Sequence, residues 1–310
     1  MLRQSELQGI TIPGLRDRLI ATLFADDTTV YLSDNDDFVT LQGILARWCA
    51  ASRAKFNGGK TEVIPIGGAG YRAEVVTTRR TGPNTQPFPV GARIADQGDA
   101  VRTLGAWVGN GVDQAAPWAP VMDTIRRNLA RWGKRNPTMD ARKLILGMEV
   151  GSRTQFLTRA QGMPEVVEKE LESIVSGFMW GEGKHPMINK ETLYKPRSEG
   201  GLNLLDLKAR NAAIDLIWLR DYMTQGPMRP TWAYVADILL ARAVTASSRN
   251  VDVDTRVNNF LQTWTVSTRK SAGLPQDLAQ MVKTANKYDA RLASGKPAKD
   301  LRNSLPIWYH

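Results

Sequence analysis

The sequence predicts an α+β fold, with short strands near its N-terminus and helices through most of the remainder. Two runs rich in β-branched and aromatic residues, 19–25 and 28–33, flank the acid pair Asp26-Asp27. Apolar residues then recur at helical spacing in residues 36–56, and again in almost every segment after Trp118. Spacing of three and four residues marks an amphipathic helix, as β-rich runs broken by turn residues mark strands.

The elements follow in order. Residues 19–33 read LIATLFADDTTVYLS, a hairpin pattern with acids at its tip. Residues 36–56 place Phe38, Leu41, Ile44, Leu45 and Trp48 on one helix face, after an acidic start that suits an N-cap. Cys49, on the same apolar face, is expected in the core. Asn57-Gly58-Gly59 stops the helix, and residues 61–66 (TEVIPI) alternate as a strand in which Pro65 favours an edge. Residues 67–97, rich in Gly, Pro and Thr, are expected to form a mobile surface excursion. Residues 102–109 (RTLGAWVG) return to a short strand with glycines at turn positions. Helices are predicted over 118–135, 138–161, 164–180, 202–223 and 229–244, with Pro137 and Pro164 at helix starts, and weaker helices over 245–310. The expected divisions are 1–115, 116–225 and 226–310.

Composition narrows the function. The 310 residues include 41 Lys and Arg against 31 Asp and Glu, a net charge of +10 that suits a polyanionic partner such as nucleic acid. The longest apolar runs, such as Ile238-Leu239-Leu240-Ala241, fall far short of the ~20 residues of a membrane helix, so no membrane partner is expected. The N-terminus carries Arg3 and Glu6 and no signal-peptide pattern, which predicts an intracellular protein, nuclear or cytoplasmic, rather than a secreted one. Cys49 is the only cysteine, which rules out internal disulfides and a multi-cysteine zinc site. His185 and His310 are too far apart in sequence to suggest a metal cluster or a nucleophile–base pair. Any catalysis must use carboxylates.

Two adjacent carboxylates at a hairpin tip repel one another by about 3 kcal/mol, taking a separation of ~5 Å and an effective dielectric of ~20. A divalent cation relieves that repulsion; hard oxygen ligands suit magnesium, and a two-magnesium site can activate a hydroxyl while stabilising a leaving pyrophosphate. The alternative is a turn built from favoured turn residues and nothing more. The flanking sequence favours chemistry: Phe24-Ala25-Asp26-Asp27-Thr28-Thr29-Val30-Tyr31-Leu32 resembles the catalytic hairpin of reverse transcriptases, in the form typical of retrotransposons without long terminal repeats. The likeness continues in order. The segment Ala54-Lys55-Phe56-Asn57-Gly58-Gly59-Lys60-Thr61-Glu62 is similar to the next palm motif, and Leu104-Gly105-Ala106-Trp107-Val108-Gly109 to the turn that grips the primer. Leu193-Tyr194-Lys195-Pro196 with Glu199-Gly200-Gly201-Leu202-Asn203-Leu204-Leu205-Asp206 resembles a segment downstream of the polymerase.

The resemblance implies the second half of a polymerase palm followed by a helical thumb and a helical C-terminal region. It implies that Asp26 is the principal Mg2+ ligand and Asp27 its partner, and that Lys60 lies near the incoming deoxynucleoside triphosphate; a solvated lysine at a helix end is the competing reading of Lys60. It also implies an RNA template and a DNA primer as partners. Arg126, Arg127, Arg131, Lys134 and Arg135, on the first helix after the palm, could follow a phosphate backbone, or form a solvated face with Trp118 and Trp132 in the core. Lys195, Arg197, Lys208 and Arg210 admit the same two readings, and core packing is the default for the tryptophans.

The family uses a further aspartate and a nucleotide-pocket motif that precede the hairpin. Asp17, in a turn-like stretch, is the sole aspartate among the 25 residues before Asp26, and the ending Trp308-Tyr309-His310 is abrupt. The expectation is a fragment without DNA polymerase activity, since a two-metal clamp lacking one ligand group forfeits most of its rate. The alternative is a non-catalytic transposon remnant or a basic nucleic-acid-binding module.

Overall fold

The computed structural model describes residues 1–181, 186–290, 303, 305 and 306. The protein is a mainly helical α+β chain: its strands form short two-stranded sheets, and most helices lie in the C-terminal two-thirds. His185 and His310 lie outside the described residues, as does most of the stretch beyond Ala290. The chain divides into two compact units, Met1–Asp113 and a second that begins at Gln114.

In the first unit an isolated bridge, Ile10 to Leu19, leads into β1 (Ala21–Phe24), which pairs antiparallel with β2 (Asp27–Val30). Helix α1 (Phe38–Ser52) follows, its N-cap Asp37 accepting from the Val39 N–H. Leu41 and Ile44 of α1 pack with Leu7 and Ile20 in a small core. The helix ends four residues earlier than its apolar pattern suggests, because Arg53 adopts a left-handed φ of 60° and the Ser52 hydroxyl donates to the Trp48 carbonyl. Cys49 is half-buried, and Trp48 is exposed rather than in the core.

Residues 67–97 are not a surface excursion. They contain α2 (Ala69–Thr78) and β4 (Arg93–Ile94), which pairs parallel with β3 (Glu62–Val63), so α2 forms the crossover between two parallel strands. Val75, Phe88 and Ala92 form a core of their own beneath it. Arg79, itself left-handed at φ 58°, fastens the following loop by donating to the carbonyls of Phe88 (3.3 Å), Pro89 (2.6 Å) and Ala92 (2.6 Å). The polar composition hid this packing because α2 needs to bury only Val75 fully. A second hairpin, β5 (Val101–Thr103) and β6 (Ala106–Val108), turns at Leu104-Gly105, both with positive φ (50° and 85°), as the type I′ hairpin turn requires.

The second unit opens with α3 (Ala119–Gly133). The helix expected over 138–161 is interrupted: α4 (Met139–Leu146) passes through a π turn (Gly147–Ser152) into α5 (Arg153–Gln161). Gly147 and Gly151 are weak helix formers and permit the wider turn. Then come α6 (Glu165–Trp180), the short α7 (Lys190–Tyr194), α8 (Leu207–Met223), α9 (Thr231–Arg242) and α10 (Gln276–Lys287). Helix α8 starts at Leu207 rather than 202, where Asp206 caps it by accepting from the Ala209 N–H. One core gathers Trp118, Ile125, Leu146, Val150, Leu171 and Met179; another gathers Tyr222, Ala233, Leu240, Trp264 and Met281. Weak helices were expected after 245, but residues 245–275 are loops with 3-10 turns. Arg256, donating to the Ala241 carbonyl at 2.8 Å, and Gln262, accepting from the Val257 and Asn258 N–H groups, give those loops their fixed shape. Among the described residues no helix is long and apolar enough to cross a membrane.

Candidate functional site

The acid pair sits where the hairpin reverses. Phe24 and Asp27 are opposite one another in register, which leaves Ala25 and Asp26 as the two central residues of the turn. Ala25 takes a φ of 52°, a left-handed conformation that costs a non-glycine residue about 1 kcal/mol, whereas Asp26 does not. A positive φ at the first central residue alone is the pattern of a type II′ turn. Asp26 is therefore on the loop and Asp27 begins β2, both exposed. Leu23 and Phe24, at 63% and 67% exposure, flank them without apolar cover.

What anchors this projecting hairpin is Asp36, which the sequence reading passed over as part of an acidic helix start. Its carboxylate, 4% exposed, accepts from the backbone N–H groups of Gln8 (2.7 Å), Gly9 (2.8 Å) and Ser33 (2.8 Å) and from the Ser33 hydroxyl (3.1 Å). Burial alone would raise its pKa, but these four hydrogen bonds outweigh it and hold the carboxyl below the ordinary aspartate value. The Asp36 carbonyl also accepts from the buried Thr81 hydroxyl at 2.6 Å. One residue thus ties the segment before the hairpin, the segment after it and the loop that follows α2.

Lys60 is exposed at the end of a 3-10 turn, Gly58–Lys60, held by its own N–H to the Asn57 carbonyl. Neither Asp26, Asp27 nor Lys60 has a side-chain hydrogen bond or ion pair among the described residues. Among those residues, too, no group of three or more His, Cys, Asp or Glu side chains could hold a metal ion. The donor set of the hairpin is consequently two carboxylates, which one Mg2+ can use together with waters and substrate phosphates but which leave a two-metal site short of a further carboxylate.

Arg126, Arg127 and Arg131 lie on α3, and Lys134 and Arg135 follow directly after it; all five are exposed, and they divide by partner. Arg126 pairs with Asp123 (3.2 Å) and with Glu170 of α6, and Arg127 donates to the Thr124 hydroxyl. Arg131, Lys134 and Arg135 have no ion-pair partner among the described residues. Trp118 is fully buried and Trp132 packs against the core. Arg210 is structural: its guanidinium donates to the Gly151 carbonyl and the Thr154 and Thr158 hydroxyls, and burial pulls its pKa down. Lys208 and Arg197 pair with Glu172 and Asp140, and Lys195 is exposed.

Sequence reasoning also missed Glu149 in the π turn. It is 5% exposed and accepts from Asn128 (2.8 Å), Trp132 (3.3 Å) and Arg153 (2.7 Å). Burial pushes its carboxyl up, and the three donors pull it to a net value below the ordinary range. An acid at an apolar position, in step with Ile145 and Leu146 one turn earlier, was the available signal. No protein-family model matches this chain, and no curated protein is found to be similar to it.

Proposed function

We propose that this chain is part of an RNA-directed DNA polymerase of the non-LTR retrotransposon type, carrying the second half of a palm, a helical thumb and a downstream helical region. The observation that carries the reading is the two-residue antiparallel turn that presents Asp26 and Asp27 to solvent, inside a motif that resembles the reverse-transcriptase hairpin. The order of the later motifs supports it, with Leu104-Gly105 at a second tight turn and a helical unit beyond it.

In the intact enzyme Mg2+ would supply charge neutralisation for nucleotidyl transfer. The donors in these residues do not complete such a site, so the chain as it stands is assigned no turnover. The reading requires a third carboxylate, and among the described residues no third carboxylate joins the pair to make a metal-holding group. Asp26 and Asp27 then have one role here: to hold two anionic oxygens on a rigid backbone where a primer end could meet them. RNA template, DNA primer and deoxynucleoside triphosphates are partners of that longer product, and Arg131, Lys134 and Arg135 are the cations best placed to meet a phosphate backbone.

The test is primer extension with Mg2+ on an RNA template. The purified chain should incorporate no more nucleotide than its Asp26→Asn variant. Extended upstream by a palm segment bearing an aspartate, the protein should gain synthesis that Asp26→Asn abolishes. Synthesis by the chain alone refutes the fragment reading; an extended protein indifferent to Asp26→Asn refutes the polymerase reading. The second reading, a basic binding module, is favoured by the unpaired cations at the end of α3 and just after it, and predicts salt-dependent binding to RNA–DNA hybrid without turnover.

A further inference from the structure

The end of α1 carries a feature that the polymerase reading does not use. Trp48 and Phe56, each 42% exposed, lie together with ring centroids 5.4 Å apart and planes tilted by 45°. The pair is built by the chain reversal at the end of the helix. Ser52 donates its hydroxyl to the Trp48 carbonyl (2.8 Å) and accepts from the Ala54 N–H (3.3 Å), while Arg53 adopts its left-handed φ of 60°, so that Phe56 comes back onto Trp48. Two large aromatic rings that the fold leaves exposed side by side are unusual, since burying such a ring is worth about 1.5–3 kcal/mol.

The charge along this stretch of chain is of one sign. No Asp or Glu occurs between Asp37 and Glu62, whereas Arg47 adjoins Trp48, Arg53 makes the reversal and Lys55 adjoins Phe56. All three are exposed, and none forms an ion pair among the described residues. Exposed aromatic faces offer stacking surface to nucleobases, and unpaired cations beside them meet the phosphates; this is how single strands are held without sequence preference. An acidic protein segment would use the cations but gains no comparable stacking from the rings, and a duplex keeps its bases out of reach.

We propose that Trp48 and Phe56 form a stacking platform for single-stranded nucleic acid, with Arg47, Arg53 and Lys55 along the backbone of the strand. The platform does not depend on the acid pair or on metal. It lies in the first unit, apart in sequence from the cations of α3.

The test uses the full chain with fluorescein-labelled (dT)12, read by fluorescence anisotropy across a salt series, and with an oligonucleotide carrying 5-iodouracil for photo-crosslinking and peptide mapping. Trp48→Ala and Phe56→Ala should each weaken binding on the order of ten-fold while leaving the salt slope unchanged, because stacking is lost and phosphate contacts are kept. Trp48→Phe should retain most of the affinity. Phe156→Ala, at a ring 58% exposed in the second unit, should bind as the parent does, and binding by the parent should be the same with EDTA as with Mg2+, which separates this proposal from the polymerase reading. Circular dichroism checks that each variant keeps its helix content, and the crosslink should map to Trp48 or Phe56. The proposal is overturned if both alanine variants bind like the parent, if crosslinks map to other aromatic residues, or if a heparin competitor of equal charge binds the alanine variants and the parent in the same ratio as (dT)12 does.

Discussion

Replacing Asp36 by alanine probes the anchor of the acid-bearing hairpin. The carboxylate satisfies three backbone N–H groups and one hydroxyl at 2.7–3.1 Å in a site 4% exposed. A hydrogen bond to a charged group contributes about 1.5–3 kcal/mol, and stranding a buried donor costs about 1–3 kcal/mol. The four bonds share one acceptor group and do not add in full, so the expected loss is about 3–5 kcal/mol, the top of the usual range for single substitutions. Amide hydrogen exchange resolves the effect by site, with the Gln8, Gly9 and Ser33 amides losing protection first while the second unit keeps its own. The parent protein makes a matching prediction with pH. A carboxyl whose folded pKa lies below its unfolded value, about 3.9, contributes stability that is complete above that value and is lost as pH falls through the lower folded value. The resistance of the first unit to urea should therefore fall below about pH 4 in the parent, and the Asp36→Ala variant should lose that part of the slope. A destabilisation under about 1 kcal/mol, or equal acid slopes in the two proteins, refutes the clamp.

Three further outcomes follow from the geometry. Ala25→Gly should stabilise the hairpin by about 0.5–1 kcal/mol in chemical denaturation, since φ of 52° strains alanine and not glycine; a net loss would mean that the turn is not left-handed at that residue. Glu149→Ala should cost about 2–4 kcal/mol, because Asn128, Trp132 and Arg153 lose a common acceptor, and fluorescence of the half-buried Trp132 should change on unfolding at lower denaturant. Asp27→Asn, at an exposed position, should leave the melting temperature within about 2 °C of the parent, so that any loss in function assays is chemical and not structural.

Much of the outline was legible before any coordinates. The β-rich runs around Asp26-Asp27 determined a hairpin with acids at its reversal, and three- and four-residue spacing determined α3, α6 and α9 to within a few residues, because both patterns are local consequences of backbone period. Residues 102–109, expected as one short strand with glycines at turn positions, fold instead as two strands about Leu104-Gly105, a turn whose first left-handed residue, Leu104, composition does not favour. Tertiary packing decided the rest. Residues 67–97 looked like polar loop until Arg79 closed on three carbonyls and Phe88 entered the core, contacts that no short window of sequence contains. Asp36 and Glu149 became anchors only because donors from distant segments converge on them, and Trp48 left the core because the chain reverses at Arg53 and offers it Phe56 instead. Periodicity specifies which face of an element is apolar; what that face meets depends on where other segments bring their side chains, and that is fixed only when the whole chain has packed.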